Sequence, residues 1–238
     1  INRYCASGLE AIAIATAKIK IGMGDIFVAG GTESMSMIPM TGYKLAPSYE
    51  VALNTPDYVV GMGLTAEAVA KKYKISRESQ DEFAFRSHDL AAKAIESGKF
   101  KEEIIPISVT DVNVINDKKV DSSHIVDTDE GVRKDTTIEG LSKLKPVFAS
   151  NGTVTAGNSS QTSDGSSFVL VVSEAIVKRY NLKPIAKLIS CSVAGVEPIL
   201  MGIGPCIFLY TSISSFRVKK VSARRRCLIL DVAPNLPT

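Results

Sequence analysis

The first regular hydrophobic pattern along the chain covers residues 8–21 (GLEAIAIATAKIKI). Leu9, Ile12, Ala13 and Ala17 recur at helical spacing and define one face. Ala11 and Ile14 fall off that face, so the pattern predicts a helix buried on more than one side. Ser7 is placed to cap its start and Gly22 to end it. Residues 25–29 (DIFVA) are short and nearly all apolar, as in a buried strand. Residues 30–36 (GGTESMS) follow as an expected Gly-rich turn. Helix, strand and turn in this order predict an α/β layer.

Residues 36–62 show no sustained period, and a loop of that length inside a compact protein is usually functional or a subdomain. Two helices are expected next, over 65–73 and about 77–97, the second capped by Ser76 and closed by Gly98. Residues 103–115 alternate apolar and polar side chains and predict strand segments. Residues 127–152 read as polar loop with a short helical turn near 138–144. Residues 153–167 (TVTAGNSSQTSDGSS) hold eight Ser/Thr and Val154 as their one large apolar group. Structured elements flank this stretch: an apolar strand at 168–172 and a helix at 173–180. A polar turn in that setting reads as a ligand loop rather than a hinge. Residues 185–196 predict a further strand, opening a second α/β unit.

Charge changes the picture only after it is located. The 238 residues carry a net charge of +3, a weak hint of a polyanionic partner. Residues 207–238 alone hold six basic side chains against Asp231, a net of +5, and leave residues 1–206 at −2. The basic run 219–226 comes with no aromatic platform and no recognisable nucleic-acid module, so no nucleic-acid partner is expected. No run of 18 apolar residues predicts a membrane helix. Four Cys without a CxxC pair read as reduced thiols, and two isolated His do not make a zinc site. Absent targeting signals and reduced thiols give cytoplasmic localisation as the expectation.

Cys5 lies just before the first helix. A thiol there faces the positive end of the helix dipole, which favours the thiolate, and Ala6, Ser7 and Gly8 leave room for a carbonyl substrate. The same residue also reads as a small buried hydrophobe. No neighbouring base is evident, since His88 and His124 are remote in sequence. The turn Ala156-Gly157-Asn158-Ser159-Ser160 offers N–H groups and hydroxyls to an anion or an amide. It lacks the Lys and the spacing of a phosphate-binding P-loop.

Several ordered motifs carry a resemblance to a known family. Asn2-Arg3-Tyr4-Cys5-Ala6-Ser7-Gly8-Leu9 resembles the nucleophile motif of the thiolases. The similarity continues through Ala29-Gly30-Gly31-Thr32-Glu33-Ser34-Met35-Ser36, Met62-Gly63-Leu64-Thr65-Ala66-Glu67 and Ser76-Arg77-Glu78-Ser79-Gln80-Asp81. It extends through residues 152–160 with Asp164-Gly165 and ends at Met201-Gly202-Ile203-Gly204-Pro205. The form Asn158-Ser159-Ser160-Gln161 is more similar to the 3-ketoacyl-CoA thiolases than to the acetoacetyl-CoA enzymes.

The resemblance implies a layered α/β/α thiolase fold, incomplete here, with an inserted loop domain. On that basis residues 1–36 and 151–183 belong to the N-terminal half, and 37–150 form the loop domain covering CoA. Residues 184–206 open the C-terminal half, and 207–238 form a basic tail outside the family pattern. It implies thiolytic cleavage of 3-ketoacyl-CoA to acyl-CoA and acetyl-CoA, or the reverse condensation, in fatty acid β-oxidation. The acyl group would be carried on Cys5 as a thioester. An acetoacetyl-CoA-forming acetyltransferase and a non-catalytic CoA-binding fragment are the alternatives.

CoA enters as substrate, with no metal or other cofactor. Met62, Arg133, Leu144, Val147, Phe148, Ala156, Gly157 and Ser160 match the family's CoA contacts: Arg133 toward the nucleotide end, the turn residues toward the pantetheine amides. A homodimer or homotetramer is implied for the full-length parent.

The family's Asn-Glu-Ala-Phe, Gly-His-Pro and Cys-x-Gly motifs do not occur in this sequence, and the pattern stops after Pro205. The expectations that follow are a start cut away before Ile1, a tail from a shifted reading frame, weak folding of residues 1–206 alone, and little activity without the missing acid–base groups.

Overall fold

The computed structural model describes residues 1–206. The basic tail at 207–238, with Cys227, lies outside the described residues. Two compact units divide the chain, Ile1–Val60 together with the described part of Thr162–Thr238, and Gly61–Gln161.

The first unit is built on helix α1 (Ser7–Lys20) and the antiparallel strands β1 (Ile26–Ser34) and β4 (Asp164–Val172). A 3-10 turn, Tyr4–Ala6, runs straight into α1. Ser7 is not the cap that its sequence position suggested. Ala6 occupies the N-cap without a side-chain bond, and the Ser7 hydroxyl turns back to the preceding turn. It accepts from the Arg3 N–H at 2.8 Å and donates to the Tyr4 carbonyl at 2.7 Å. The other end follows expectation. Gly22 has φ +76° and donates to Ile19, while Met23 donates to Lys18, which together close a Schellman motif.

Beyond α1, strand pairing overrides local composition. The expected turn at 30–36 is strand as far as Ser34, in register from Ile26↔Val172 to Ser34↔Asp164. Gly30 permits this. A Cβ at that position would sit 2.2 Å from the Ser167 carbonyl oxygen and 2.6 Å from the Phe168 ring. The glycine is there for close approach of β4, not for a bend. For the same reason β4 begins at Asp164, inside the segment that reads as a polar turn.

The open end of the ribbon is tied by Asp164, which accepts from the Ser36 N–H and hydroxyl. α1 packs on β1 and β4, burying Ala15 and Ala29, and α6 (Glu174–Arg179), capped by Ser173, buries Ile176. Helix α2 (Tyr49–Asn54) and a 3-10 turn at Pro56–Val59 interrupt the irregular stretch. That turn packs on a second one at Pro198–Ile203, where Leu200 is buried. The strand expected at 185–196 does not form: the segment has no helix or strand, because it finds no neighbour to pair with among the described residues.

The second unit contains α3 (Met62–Tyr73), α4 (Arg77–Glu96), the hairpin β2 (Ile107–Ile115) and β3 (Lys118–Val126), and α5 (Ile138–Ser142). α3 starts three residues earlier than its periodicity suggests, with Gly61 at the N-cap. α4 begins and ends as predicted. Ser76 Oγ accepts from the Ser79 N–H, and Gly98 at φ +68° closes a Schellman motif through Lys99 to Ala94. The hairpin was half legible, since β3 has no counterpart in the sequence reading. Asn116 and Asp117, both at positive φ, form its two-residue turn and are the signal that identifies it.

The unit boundaries also differ from the division at 36/37 and 150/151. Residues 56–59 pack on 198–203 in the first unit, and 151–161 are bound into the second by hydrogen bonds to α3 and α4.

Gly30→Ala should destabilise the ribbon by about 1–3 kcal/mol through overpacking, whereas Gly31→Ala, with open space at its Cβ, should change little. Urea unfolding midpoints of the two variants check this. The Ser36 hydroxyl and N–H hold the Asp164 carboxyl below the usual carboxylate range. A depressed value stabilises the fold above the ordinary Asp range, and that contribution disappears as pH falls through the folded value. Carbon-13 titration of Asp164 should therefore show its value moving up in Ser36→Ala, but not fully to the ordinary range, because the Ser36 N–H remains bonded to it.

Candidate functional site

Cys5 sits in the middle residue of the Tyr4–Ala6 turn and is exposed, so the reading of it as a buried hydrophobe is set aside. The residue before it, Tyr4, has φ +49°, a left-handed conformation that a bulky aromatic adopts only when its surroundings hold it there. Those surroundings are specific. Asn2 Oδ1 accepts from the Tyr4 N–H at 2.9 Å, the Ser7 hydroxyl donates to the Tyr4 carbonyl, and the Ala6 N–H donates to Arg3 at 3.1 Å. Arg3 is anchored to Glu10 of α1 at 3.2 Å. A tight turn at the N-terminal mouth of α1 thus presents the thiol to solvent. The small residues Ala6 and Gly8 leave the approach open, and a Cβ on Gly8 would meet nothing within 4 Å.

The eight residues matched to CoA contacts all belong to the second unit, Gly61–Gln161. Most of them come together. Pro146 bridges Thr155, and the Val147 N–H donates to the Val154 carbonyl at 3.1 Å, which sets Val147 and Phe148 beside the 154–160 turn. The Phe148 ring lies on Gly63, next to Met62, where a Cβ would be 2.2 Å from the ring. Leu141 and Leu144 close over Gly157, leaving 2.5 Å for a Cβ. Met62, Leu144, Val147 and Phe148 are nevertheless each at least 39% exposed, an apolar face open to solvent.

Arg133 enters from a separate loop. Its N–H donates to His88 Nδ1 on α4 at 3.2 Å, and Gly131 in that loop lies against the side chain of Gln161, the neighbour of Ser160. His124 stands 3.3 Å from Asp111 in the hairpin. Both imidazoles thus have partners in the second unit.

Within the turn, the N–H groups of Gly157 and Asn158 donate to Thr155 Oγ1, and the Thr155 N–H donates to Asn158 Oδ1 at 2.7 Å. Ser160 is exposed, with its hydroxyl on the Gln161 carbonyl, and Ser159 Oγ is buried without a partner.

Sequence reading missed the residues that hold this turn. The Glu67 carboxylate on α3 accepts from the N–H groups of Thr153 and Val154 and from the Thr153 hydroxyl, while Gln80 Nε2 donates to the same hydroxyl. Asp81 on α4, 2% exposed, accepts from Asn158 Nδ2 at 3.0 Å. Nothing in composition or spacing separates Asp81 from its solvated neighbours Glu78 and Glu82; only packing does. Among the described residues no group of His, Cys, Asp and Glu side chains is arranged to hold a metal ion.

The family described as "Thiolase, N-terminal domain" matches residues 1–175. The 3-ketoacyl-CoA thiolase of Bacillus subtilis is 50% identical over 206 residues, covering 86% of this chain and 53% of that protein. The crystal structure of the dimeric peroxisomal thiolase of Saccharomyces cerevisiae superposes with a TM-score of 0.77 at 37% identity, over 90% of this chain and 53% of that one. The Bacillus anthracis acetyl-CoA acetyltransferase superposes with a TM-score of 0.75 at 40% identity, over 90% and 55%. The chain spans about half the length of the curated relatives it matches. In sequence and in fold, the chain belongs to the thiolase family.

Proposed function

We propose that this chain carries the nucleophile and the CoA-binding surface of an acyltransferase that cleaves 3-ketoacyl-CoA by thiolysis, or runs the reverse condensation, in fatty acid β-oxidation. The observation that carries the proposal is the exposed Cys5 on its constrained turn at the mouth of α1. The Cys5 thiolate adds to the C3 carbonyl of the substrate. The C2–C3 bond then breaks, the acyl group stays on Sγ as a thioester, and the departing acetyl-CoA carbanion takes up a proton. The thiol of a second CoA gives up its proton, attacks the thioester and leaves as acyl-CoA, which restores the Cys5 thiolate. CoA is a substrate in this scheme, and no metal takes part.

The exposed apolar side chains of Met62, Leu144, Val147 and Phe148 suit adenine and pantetheine, and Arg133 suits the nucleotide phosphates. The 3-ketoacyl-CoA thiolase named above, half identical to this chain, supports the degradative reading. The acetyl-CoA acetyltransferase likeness keeps acetoacetyl-CoA formation as the near alternative, which acyl chain-length profiling separates. A homodimer or homotetramer belongs to the same proposal. Val28, Phe168 and Leu170 on the ribbon are more than half exposed, and the yeast relative is described as dimeric.

Incubation with acetoacetyl-CoA should add a single acetyl group to Cys5, seen by peptide mass spectrometry, with Cys191, Cys206 and Cys227 unmodified and no adduct in Cys5→Ser. Acetylation spread over all four thiols would refute the assignment. Turnover by the 238-residue chain should be low, because each acid–base group supplied by the Gly-His-Pro and Cys-x-Gly motifs is worth about 10²–10⁴-fold. Sustained thiolysis of acetoacetyl-CoA at ordinary enzyme rates would contradict this.

A further inference from the structure

One of the motifs that carry the family resemblance, 76–81, has no part in the binding or chemistry just described. It holds a buried ion pair. Arg77 Nε donates to Asp81 Oδ2 at 2.7 Å within the first turns of α4, with the Asp81 side chain 3% exposed and that of Arg77 19%. A buried pair contributes little net stability once the desolvation of both charges is counted, so its other hydrogen bonds are the informative part. Here they all lead to the segments that bear CoA contacts. Arg77 Nη2 donates to the carbonyls of Leu141 and Leu144, at 2.6 and 3.0 Å. Asp81 Oδ1 accepts from Asn158 Nδ2, and the same amide donates to the Thr153 carbonyl at 3.1 Å. Asn158 Oδ1 fixes the Thr155 N–H, and Thr155, fully buried, gathers the N–H groups of Gly157 and Asn158 on its hydroxyl.

We propose that Arg77 and Asp81 are positioning residues for CoA: one ion pair braces two segments that also touch at Val147 and Gly157, 141–148 through Arg77 and 153–160 through Asp81, at the spacing the ligand needs. The inference rests on the CoA reading of those segments. Asp81 is suited to the task because a carboxylate is acceptor-only, and both its neighbours, Arg77 Nε and Asn158 Nδ2, are donors. An Asn at 81 must turn its own NH2 toward one of them. Arg77 is suited because one planar guanidinium reaches a carboxylate and two carbonyls at once, which the single ammonium of Lys does not reproduce. Glu67 and Gln80 secure Thr153 and Val154 from the other side, so the turn is held at both ends while Ser160 stays exposed.

Hydrogen exchange and CoA titration on the full 238-residue chain test the brace. Asp81→Asn should speed amide exchange in both 141–148 and 153–160 by about tenfold or more, the loss of one charge-assisted hydrogen bond, and leave the hairpin at 107–126 unchanged. CoA affinity should fall by a similar factor, about tenfold. Two further variants separate bracing from general loosening and stand in should Asp81→Asn fold poorly. Asn158→Ala should free 153–160, together with the Val147 amide bonded to Val154, and leave 141–145 protected, whereas Arg77→Lys should loosen 141–145 and leave 153–160 protected.

A uniform rise in exchange across the whole unit, or no segment-specific rise in any variant, overturns the brace. Segment-specific exchange with unchanged CoA affinity in Asp81→Asn overturns its role toward CoA. Ser160→Ala then shows which idea failed. If that variant weakens CoA binding, the positioning role alone is wrong; if it too is indifferent, the CoA reading of the turn falls with it.

Discussion

Two carboxylates, Glu67 on α3 and Asp81 on α4, decide the shape of the second unit. Residues 153–160 are mostly polar, with Val154 as their one buried large apolar side chain, so burial alone does little to fix their conformation. Fixing each backbone residue costs about 1–2 kcal/mol of conformational entropy. The charge-assisted hydrogen bonds of Glu67 to Thr153 and Val154, and of Asp81 to Asn158, supply the compensating free energy at the two ends of the turn. Once the turn is set, Gly157 can receive Leu141 and Leu144, and the Val147 N–H can reach the Val154 carbonyl. The apolar face that includes Phe148 and Met62 therefore depends on polar contacts.

The first unit depends on a different constraint, the close approach of β1 and β4. Gly30 removes the one Cβ that would hold the strands apart, and Ser36 and Asp164 lock the open end. A two-stranded ribbon covered by α1 still leaves much apolar surface in water, and Val28, at 71% exposed, is the clearest instance. A ribbon of this kind is marginal without further strands or packing layers. That fits a chain that spans about half the length of its relatives. The thiol at the mouth of α1 relies on more local means, a turn held by Asn2, Arg3 and Ser7 around a strained Tyr4.

Much of this was legible in the residues. Periodicity identified α1 and α4, the Ser76 cap fixed the start of α4, and Gly22 and Gly98 marked the two ends, because helix termination is settled within a few residues. Cys5 stood out by its place before α1 among small side chains. The misses share a cause. Residues 30–34 and 164–167 look like turns and are strand, 185–196 looks like strand and is not, and Ser7 looks like a cap and is a strut for Tyr4. In the first three the outcome rests on whether a distant segment supplies a partner, and local composition carries no record of that. In the fourth it rests on the unusual backbone of the preceding residue.

By itself the sequence determined the helices with strong periods, the family and the candidate nucleophile Cys5, since each is written in short-range order. Tertiary structure decided which charges are buried. Asp81, Glu78 and Glu82 are chemically alike and occupy one helix, yet only Asp81 faces Asn158 and loses its water. Burial is a property of what packs against a residue, and here that neighbour lies 77 positions along the chain.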